Sequence, residues 1–320
     1  MKNPSALLIA RRMNSLLEKL MPLLTSSGVV LGFLFPGVFI WLRPIVLWLF
    51  AINTLSGALK LRTSELKKAL YNPAPILLYF FISHVFMPLM VFFLAGLIFR
   101  GESDAITGFV LLYAMPTAIT ALIWVSIHRG DSALGFALIL LATFGAPLIV
   151  PGTVYLLLGA RVRINMTSLV ISLFIMVVIP TVIGVASNEI SKGKIPIRLS
   201  PYIDPLAKML MILITAINVS AAAPQIKLDS LQPWIIAFAW VFFSVISYLS
   251  SYLCGILARF SPEKKTSFLF IASMKNSAAA ATIAIAFFPE AAAQPAIFGM
   301  LLQQLTAAFM GKILLKQRAS

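Results

Sequence analysis

The chain has 320 residues, 60% of them hydrophobic and 11% charged, with a mean hydropathy of +0.99. No soluble domain of this length has such a composition, which leaves a polytopic membrane protein. The net charge of +15 would suggest nucleic acid only if the basic residues shared one soluble face; they punctuate apolar segments instead, as loop charges do, so no nucleic-acid partner is expected.

In chain order, residues 1–20 read as an amphipathic interfacial helix, with Leu7, Leu8, Met13, Leu16, Leu17 and Leu20 apolar and Lys2, Arg11, Arg12 and Lys19 solvated. The apolar run Ala6–Ala10 is too short for the core of a signal peptide. Ten apolar segments long enough to cross a bilayer follow: 21–36, 44–59, 74–98, 106–127, 132–158, 168–186, 205–223, 233–258, 267–288 and 292–315. The first two are short and meet around Pro36-Gly37. In the fourth, Pro116 removes a backbone hydrogen bond and is expected to break the helix. Cys254, the single cysteine, sits in an apolar run and reads as a small buried residue.

Cut this way, the side that holds both termini carries eighteen basic residues, among them Arg11-Arg12, Lys67-Lys68, Lys194, Arg198, Lys264-Lys265 and Lys316. The other side carries five: Arg43, Arg100, Arg161, Arg163 and Lys227. The positive-inside rule then puts both termini in the cytoplasm, in a multi-pass cytoplasmic (inner) membrane protein. Five spans in 21–158 and five in 168–315 make two halves of odd span number, which would insert as inverted repeats with a site at the midplane between them.

Lys275 is the residue this arrangement has to explain. It lies within an apolar stretch, Phe268–Phe288, with seven residues before it and thirteen after, about 10 Å and 20 Å of helix. A charge that deep costs at least ~2.5 kcal/mol, so it marks a functional site by default. In the repeat scheme the fourth and ninth spans correspond, and Ala114-Met115-Pro116-Thr117 falls opposite Ser273-Met274-Lys275-Asn276.

At these two motifs the chain resembles the bile acid:sodium symporter family, over essentially its whole length. Further matching features are Pro36-Gly37 in a first outside loop, the basic loop Leu59–Lys68, Met87-Pro88, Asn276-Ser277 and the loop Arg129-Gly130-Asp131. The resemblance implies an all-α fold of ten helices, with spans 3–5 and 8–10 forming a core domain and spans 1, 2, 6 and 7 a panel domain. It further implies discontinuous, crossing helices 4 and 9, and alternating access by movement of the core.

The departures from the family pattern are concentrated at its sodium ligands. A Ser-Asn pair usual after the proline is here Ala121 and Leu122; hydroxyls usual on the next helix are Gly135 and Ile139. The ninth-span glutamate is Ile271, its glutamine is Lys275, and a third-span glutamine aligns with Ser83. Independently of any family, the acidic residues all fall near expected span ends or in loops, so the interior offers a hard cation no carboxylate.

Lys275 therefore has several readings: an ammonium in place of a sodium ion, a proton carrier, a direct contact to an anionic substrate, or a water-solvated structural lysine. His84, beside Met87-Pro88, is a second candidate coupling group, or a histidine bonded to a neighbouring carbonyl. Asn276 and Ser277, at the start of the second half of a broken ninth helix, suit a substrate carboxylate or act as a plain N-cap. Thr117 and Thr120 play the corresponding part in the fourth span. With two histidines, one cysteine and no buried acid, no catalytic triad, metal site or cofactor is expected, and an enzyme is disfavoured. The expected function is secondary transport of a small organic anion, without sodium or with protons; sodium symport and a transport-inactive sensor are the alternatives.

Overall fold

The computed structural model describes residues 21–61, 63, 71–159 and 165–315. The expected amphipathic helix at 1–20, most of the basic loop after Leu61, and Arg161 and Arg163 lie outside the described residues. Among those described, the regular structure is helical: α1 (Met21–Leu34), α2 (Pro36–Ala58), α3 (Pro73–Ile98), α4 (Ser103–Ala114), α5 (Ala121–Ile127) and α6 (Ser132–Leu158) in the first half. There follow α7 (Met166–Ile190), α8 (Lys194–Gln225), α9 (Gln232–Leu257), α10 (Pro262–Ser273), α11 (Ser277–Phe287) and α12 (Glu290–Leu314). Seven of them (α2, α3, α6, α7, α8, α9 and α12) are long and apolar enough to cross a membrane. The protein is a multi-span membrane protein.

Local chemistry sets the ends. Asp131 accepts from the Leu134 N–H at 3.0 Å and starts α6; Ser261 caps α10 ahead of Pro262. Three expected boundaries move. Pro36 and Gly37 are not a loop: Phe35 alone interrupts the chain, and Pro36 opens α2, where its missing N–H costs nothing. Arg43 then lies inside α2, because the helix tightens to a 3₁₀ turn over Ile40–Ile45 and so accommodates Pro44. α8 starts at Lys194 rather than 205, so Lys194 and Arg198 are helical, and Asp204 lies within the helix instead of at its end. The helix outruns its apolar stretch because the polar residues of its first turns need only solvent, not a break.

The described chain divides into two compact units, which interleave its two halves. One comprises Ile171–Pro224 with the described residues up to Thr63, thus α1, α2, α7 and α8. In it, α1 approaches α8 closely at Gly28 and Gly32: a Cβ at Gly32 would stand 2.5 Å from the Ala216 carbonyl oxygen, so only glycine fits this spacing of small residues. At one end of this unit Lys60 pairs with the buried Asp204 at 2.8 Å, and Asn188 donates to the Leu61 carbonyl at 2.8 Å. Pairing is what lets a carboxylate sit there.

The other unit comprises Gln225–Ser320 and Ser64–Val170 where described, thus α3–α6 and α9–α12. Its core is Ala105–Ala114 of α4, Thr266–Ser273 of α10 and Ser277–Ile285 of α11, which are buried without interruption. The turn before α6 is tied to α10, through Asp131 N–H to Glu263 O at 3.1 Å and the Ser267 hydroxyl to Asp131 O at 2.8 Å. Cys254 on α9 is only half-buried, unlike the fully packed residue expected.

Candidate functional site: a crossover of two broken helices

In the second unit two chain breaks meet. α4 stops at Ala114 because Met115, preceding Pro116, is driven to extended backbone (φ −62°, ψ 149°). α10 stops at Ser273 with no proline or glycine; Met274 is extended (φ −83°, ψ 125°). Thr117 and Lys275 then pair as an antiparallel bridge, and the Asn276 N–H donates to the Pro116 carbonyl at 2.9 Å.

The second break can be traced bond by bond. Met274 still donates its N–H to Phe270 O, four residues back, at 3.0 Å. The next helical bond would join Lys275 N–H to Ile271 O, and both groups have gone elsewhere. Lys275 N–H donates to Gln303 Oε1 at 3.0 Å, and Ile271 O accepts from the Thr117 hydroxyl at 2.6 Å. Asn276 then restarts the helix as N-cap, its side chain accepting from the Ala279 N–H at 3.1 Å.

Lys275 itself is 3% exposed. Its ammonium donates to the Ser83 carbonyl oxygen at 2.8 Å and to the Ser83 hydroxyl. That carbonyl is free for a reason visible in α3. Phe81–Phe86 forms a π-turn, after which the Met87 N–H reaches back five residues to Ile82 O. In this register the following donor would serve Ser83 O, but the following residue is Pro88, which has no N–H. The lysine supplies the bond the proline cannot.

The expected site residues fall as follows. Lys275, Thr117, Asn276 and Ser277 are brought together at the crossover. The Thr117 hydroxyl is engaged at both ends, by Ile271 O and by the Tyr79 hydroxyl at 2.7 Å. Ser277 has a buried hydroxyl with no hydrogen-bond partner. His84 adjoins the lysine's anchor; its ring lies 5.6 Å from that of Tyr79, and its nitrogens are buried beside the backbone of Ala114. Thr120 is half-buried at the N-terminus of α5, where its side chain makes no cap. Sequence reasoning missed Tyr79 and left Gln303 without a role. The one signal for Tyr79 was its spacing from Ser83: four residues on a helix share a face.

Three of the positions that the resemblance matches to sodium ligands, Leu122, Gly135 and Ile271, come together without an oxygen-bearing side chain. A Cβ on Gly135 would meet Leu122 Cδ2 at 2.9 Å and Ile271 Cδ1 at 3.5 Å, and Ala121 and Ile139 are buried. Among the described residues, no three His, Cys, Asp or Glu side chains converge as metal ligands would.

Comparison with known proteins agrees with this architecture. A sequence model of the Sodium Bile acid symporter family matches residues 44–228. The uncharacterized protein YbaS of Bacillus subtilis is 37% identical over 297 residues, covering 92% of this chain and 96% of its own length. An uncharacterized sodium-dependent transporter of the same organism, YocS, is 26% identical over 85% of this chain and 83% of its own. The probable sodium/metabolite cotransporter BASS2, chloroplastic, of Oryza sativa subsp. japonica is 26% identical over 54% of this chain and 42% of its own. With more than half its length under the family model and a 37%-identical relative along nearly all of it, the chain belongs to the Sodium Bile acid symporter family and is a membrane transport protein, not an enzyme.

Proposed function

We propose that the protein is a secondary transporter of a small organic anion, working by alternating access without sodium, with the Lys275 ammonium standing where relatives hold a sodium ion. The observation that carries this reading is the ammonium on Ser83 O and the Ser83 hydroxyl, at the break of the ninth span. A cation-binding carbonyl and hydroxyl are thus already taken by a cation that cannot leave. The hydrocarbon cluster of Leu122, Gly135 and Ile271 supports it too, since sodium needs oxygen ligands and these side chains have none.

In this reading the chain crosses ten times, α4 with α5 and α10 with α11 each making one interrupted crossing, as two inverted repeats (21–158 and 168–315). The unit of α3–α6 and α9–α12 is the core and that of α1, α2, α7 and α8 the panel. Both termini are cytoplasmic, and the membrane is the inner membrane of a cell. Three contacts support the sidedness. Lys60 with Asp204 and Asp131 with Glu263 each join residues assigned to the cytoplasmic side, and Gln232 with Glu102 joins two assigned to the other. The substrate carboxylate is read against Asn276, Ser277 and Thr120, near the positive end of α11. Thr117, already bonded at both ends, braces them.

Two relatives are named as sodium-dependent or as a sodium/metabolite cotransporter, and this favours one second reading: conventional sodium symport through backbone carbonyls. The experiment that separates them needs no known substrate. Replacing sodium by potassium or choline leaves the thermal stability of the purified protein unchanged, and Lys275→Gln, which restores an amide at that position, makes it respond to sodium. Sodium-dependent stabilisation of the unaltered protein overturns the sodium-free reading. Uptake of radiolabelled monocarboxylates into proteoliposomes, with and without sodium, tests the substrate class.

A further inference from the structure

The crossover is held from α3 at two points one helical turn apart. Ser83 takes the Lys275 ammonium, and Tyr79, four residues earlier on the same face, takes the Thr117 hydroxyl at 2.7 Å. The direction of the second contact follows from proton counting. A threonine hydroxyl has one proton, and that of Thr117 goes to the Ile271 carbonyl, which can only accept. Tyr79 is therefore the donor, and the chain runs Tyr79 O–H to Thr117 Oγ1, then Thr117 O–H to Ile271 O. All three residues are buried, Tyr79 and Ile271 with no exposed surface.

Ile271 O is the acceptor that would otherwise bind the Lys275 N–H and carry α10 through the break. Occupying it is what an unbroken helix would have to undo. We propose that Tyr79 and Thr117 are positioning residues that keep α10 broken at Lys275 and so aim its ammonium at Ser83. Their hydroxyl chain competes with the helical Lys275–Ile271 bond. If the chain is lost, the turn at 271–275 closes, the lysine backbone rotates with it, and the ammonium leaves Ser83. The inference concerns the crossover used above, but it does not depend on what the ammonium replaces.

The test reads the lysine directly. The full-length protein in nanodiscs is acylated with an amine-reactive ester, and modification at Lys275 is followed by mass spectrometry against the exposed Lys192. In Tyr79→Phe and Thr117→Val, which remove hydroxyls and keep shape, Lys275 is modified about tenfold faster than in the unaltered protein, the factor that ~1.4 kcal/mol of local stability sets. Thr117→Ser, which keeps the hydroxyl, returns the rate to that of the unaltered protein. Labelling of Cys254 by a maleimide stays constant in all variants, which separates a local release from general loosening; a parallel rise at both residues counts against the proposal. Unchanged Lys275 labelling in both hydroxyl-deleting variants overturns it, whether or not the protein responds to sodium.

Discussion

The break between α4 and α5 carries its cause in its own chain, whereas the break between α10 and α11 carries it in its neighbours. Pro116 biases the residue before it away from helix and removes a donor in its own chain, though α6 carries Pro147 and Pro151 without a break. Ser273-Met274-Lys275 has no such residue, and its helix opens because Gln303 takes one partner of a helical hydrogen bond and Thr117 the other. One side of the crossover is therefore biased by its own covalent structure, and the other is held by bonds that can be exchanged. The exchangeable side is the one that carries Lys275.

The largest effect expected from this contrast follows Pro116→Ala. It removes a bias of about 3 kcal/mol against helix at that point. The first break closes toward continuous helix, Pro116 O turns away from Asn276 N–H, and the Asn276 amide exchanges with solvent faster. Hydrogen exchange of a peptide spanning 274–277 measures this. Retained protection of Asn276 would mean that neighbours hold both breaks, and the contrast would collapse.

Next comes Gln303→Leu, which strands the buried Lys275 N–H without an acceptor. Leaving such a donor unpaired costs about 1–3 kcal/mol. The apparent melting temperature in detergent should fall by several degrees. Gln304→Leu is the matched comparison: its oxygen accepts from Trp124 Nε1 at 2.7 Å in a half-buried setting, where water can replace it, so the loss is smaller. Equal losses at the two positions would show that Gln303 has no special part in opening α10.

This contrast also explains what the sequence disclosed. The proline break and the bounds of α6, expected at 132–158 and found at Ser132–Leu158, both depend on residues within a few positions of the feature. Lys275 was conspicuous because a charge in an apolar run is rare on energetic grounds. Tyr79 was invisible because a tyrosine in an apolar span is ordinary until its hydroxyl has a partner, here 38 residues away. The start of α8 was misplaced for a different reason: hydropathy marks where a helix is apolar, not where it begins. Asp204 was assigned to a span end by the same error, and its partner Lys60 lies 144 positions earlier, beyond any local pattern.

Asn276→Ala tests the restart of the helix rather than its opening. Loss of an N-cap costs about 1 kcal/mol, and Asn276→Ser should recover most of it. Thermal unfolding measures both variants, and the pair should differ by a few degrees. If alanine is tolerated fully, the start of α11 is set by packing alone.

The smallest effect belongs to the hydrocarbon cluster that fills the position of the family's sodium ligands. An added methyl at Gly135 would lie 2.9 Å from Leu122 Cδ2 and at ordinary contact distance from Ile271. Leu122 is half-buried, and the conflicting atom is the far end of a flexible side chain, so a rotamer change relieves it. Gly135→Ala should therefore cost less than about 1 kcal/mol, below the usual range for overpacking a tight core, and leave cation responses unchanged. Gly135→Ser adds an oxygen at the same place, but Leu122 and Ile271 still offer none, and a single ligand does not hold sodium. Both variants should melt alike in sodium and in potassium. A sodium response from Gly135→Ser alone would show that the cluster keeps enough carbonyl oxygens in reach to bind the ion. Sodium binding would then hinge on one hydroxyl and not on Lys275.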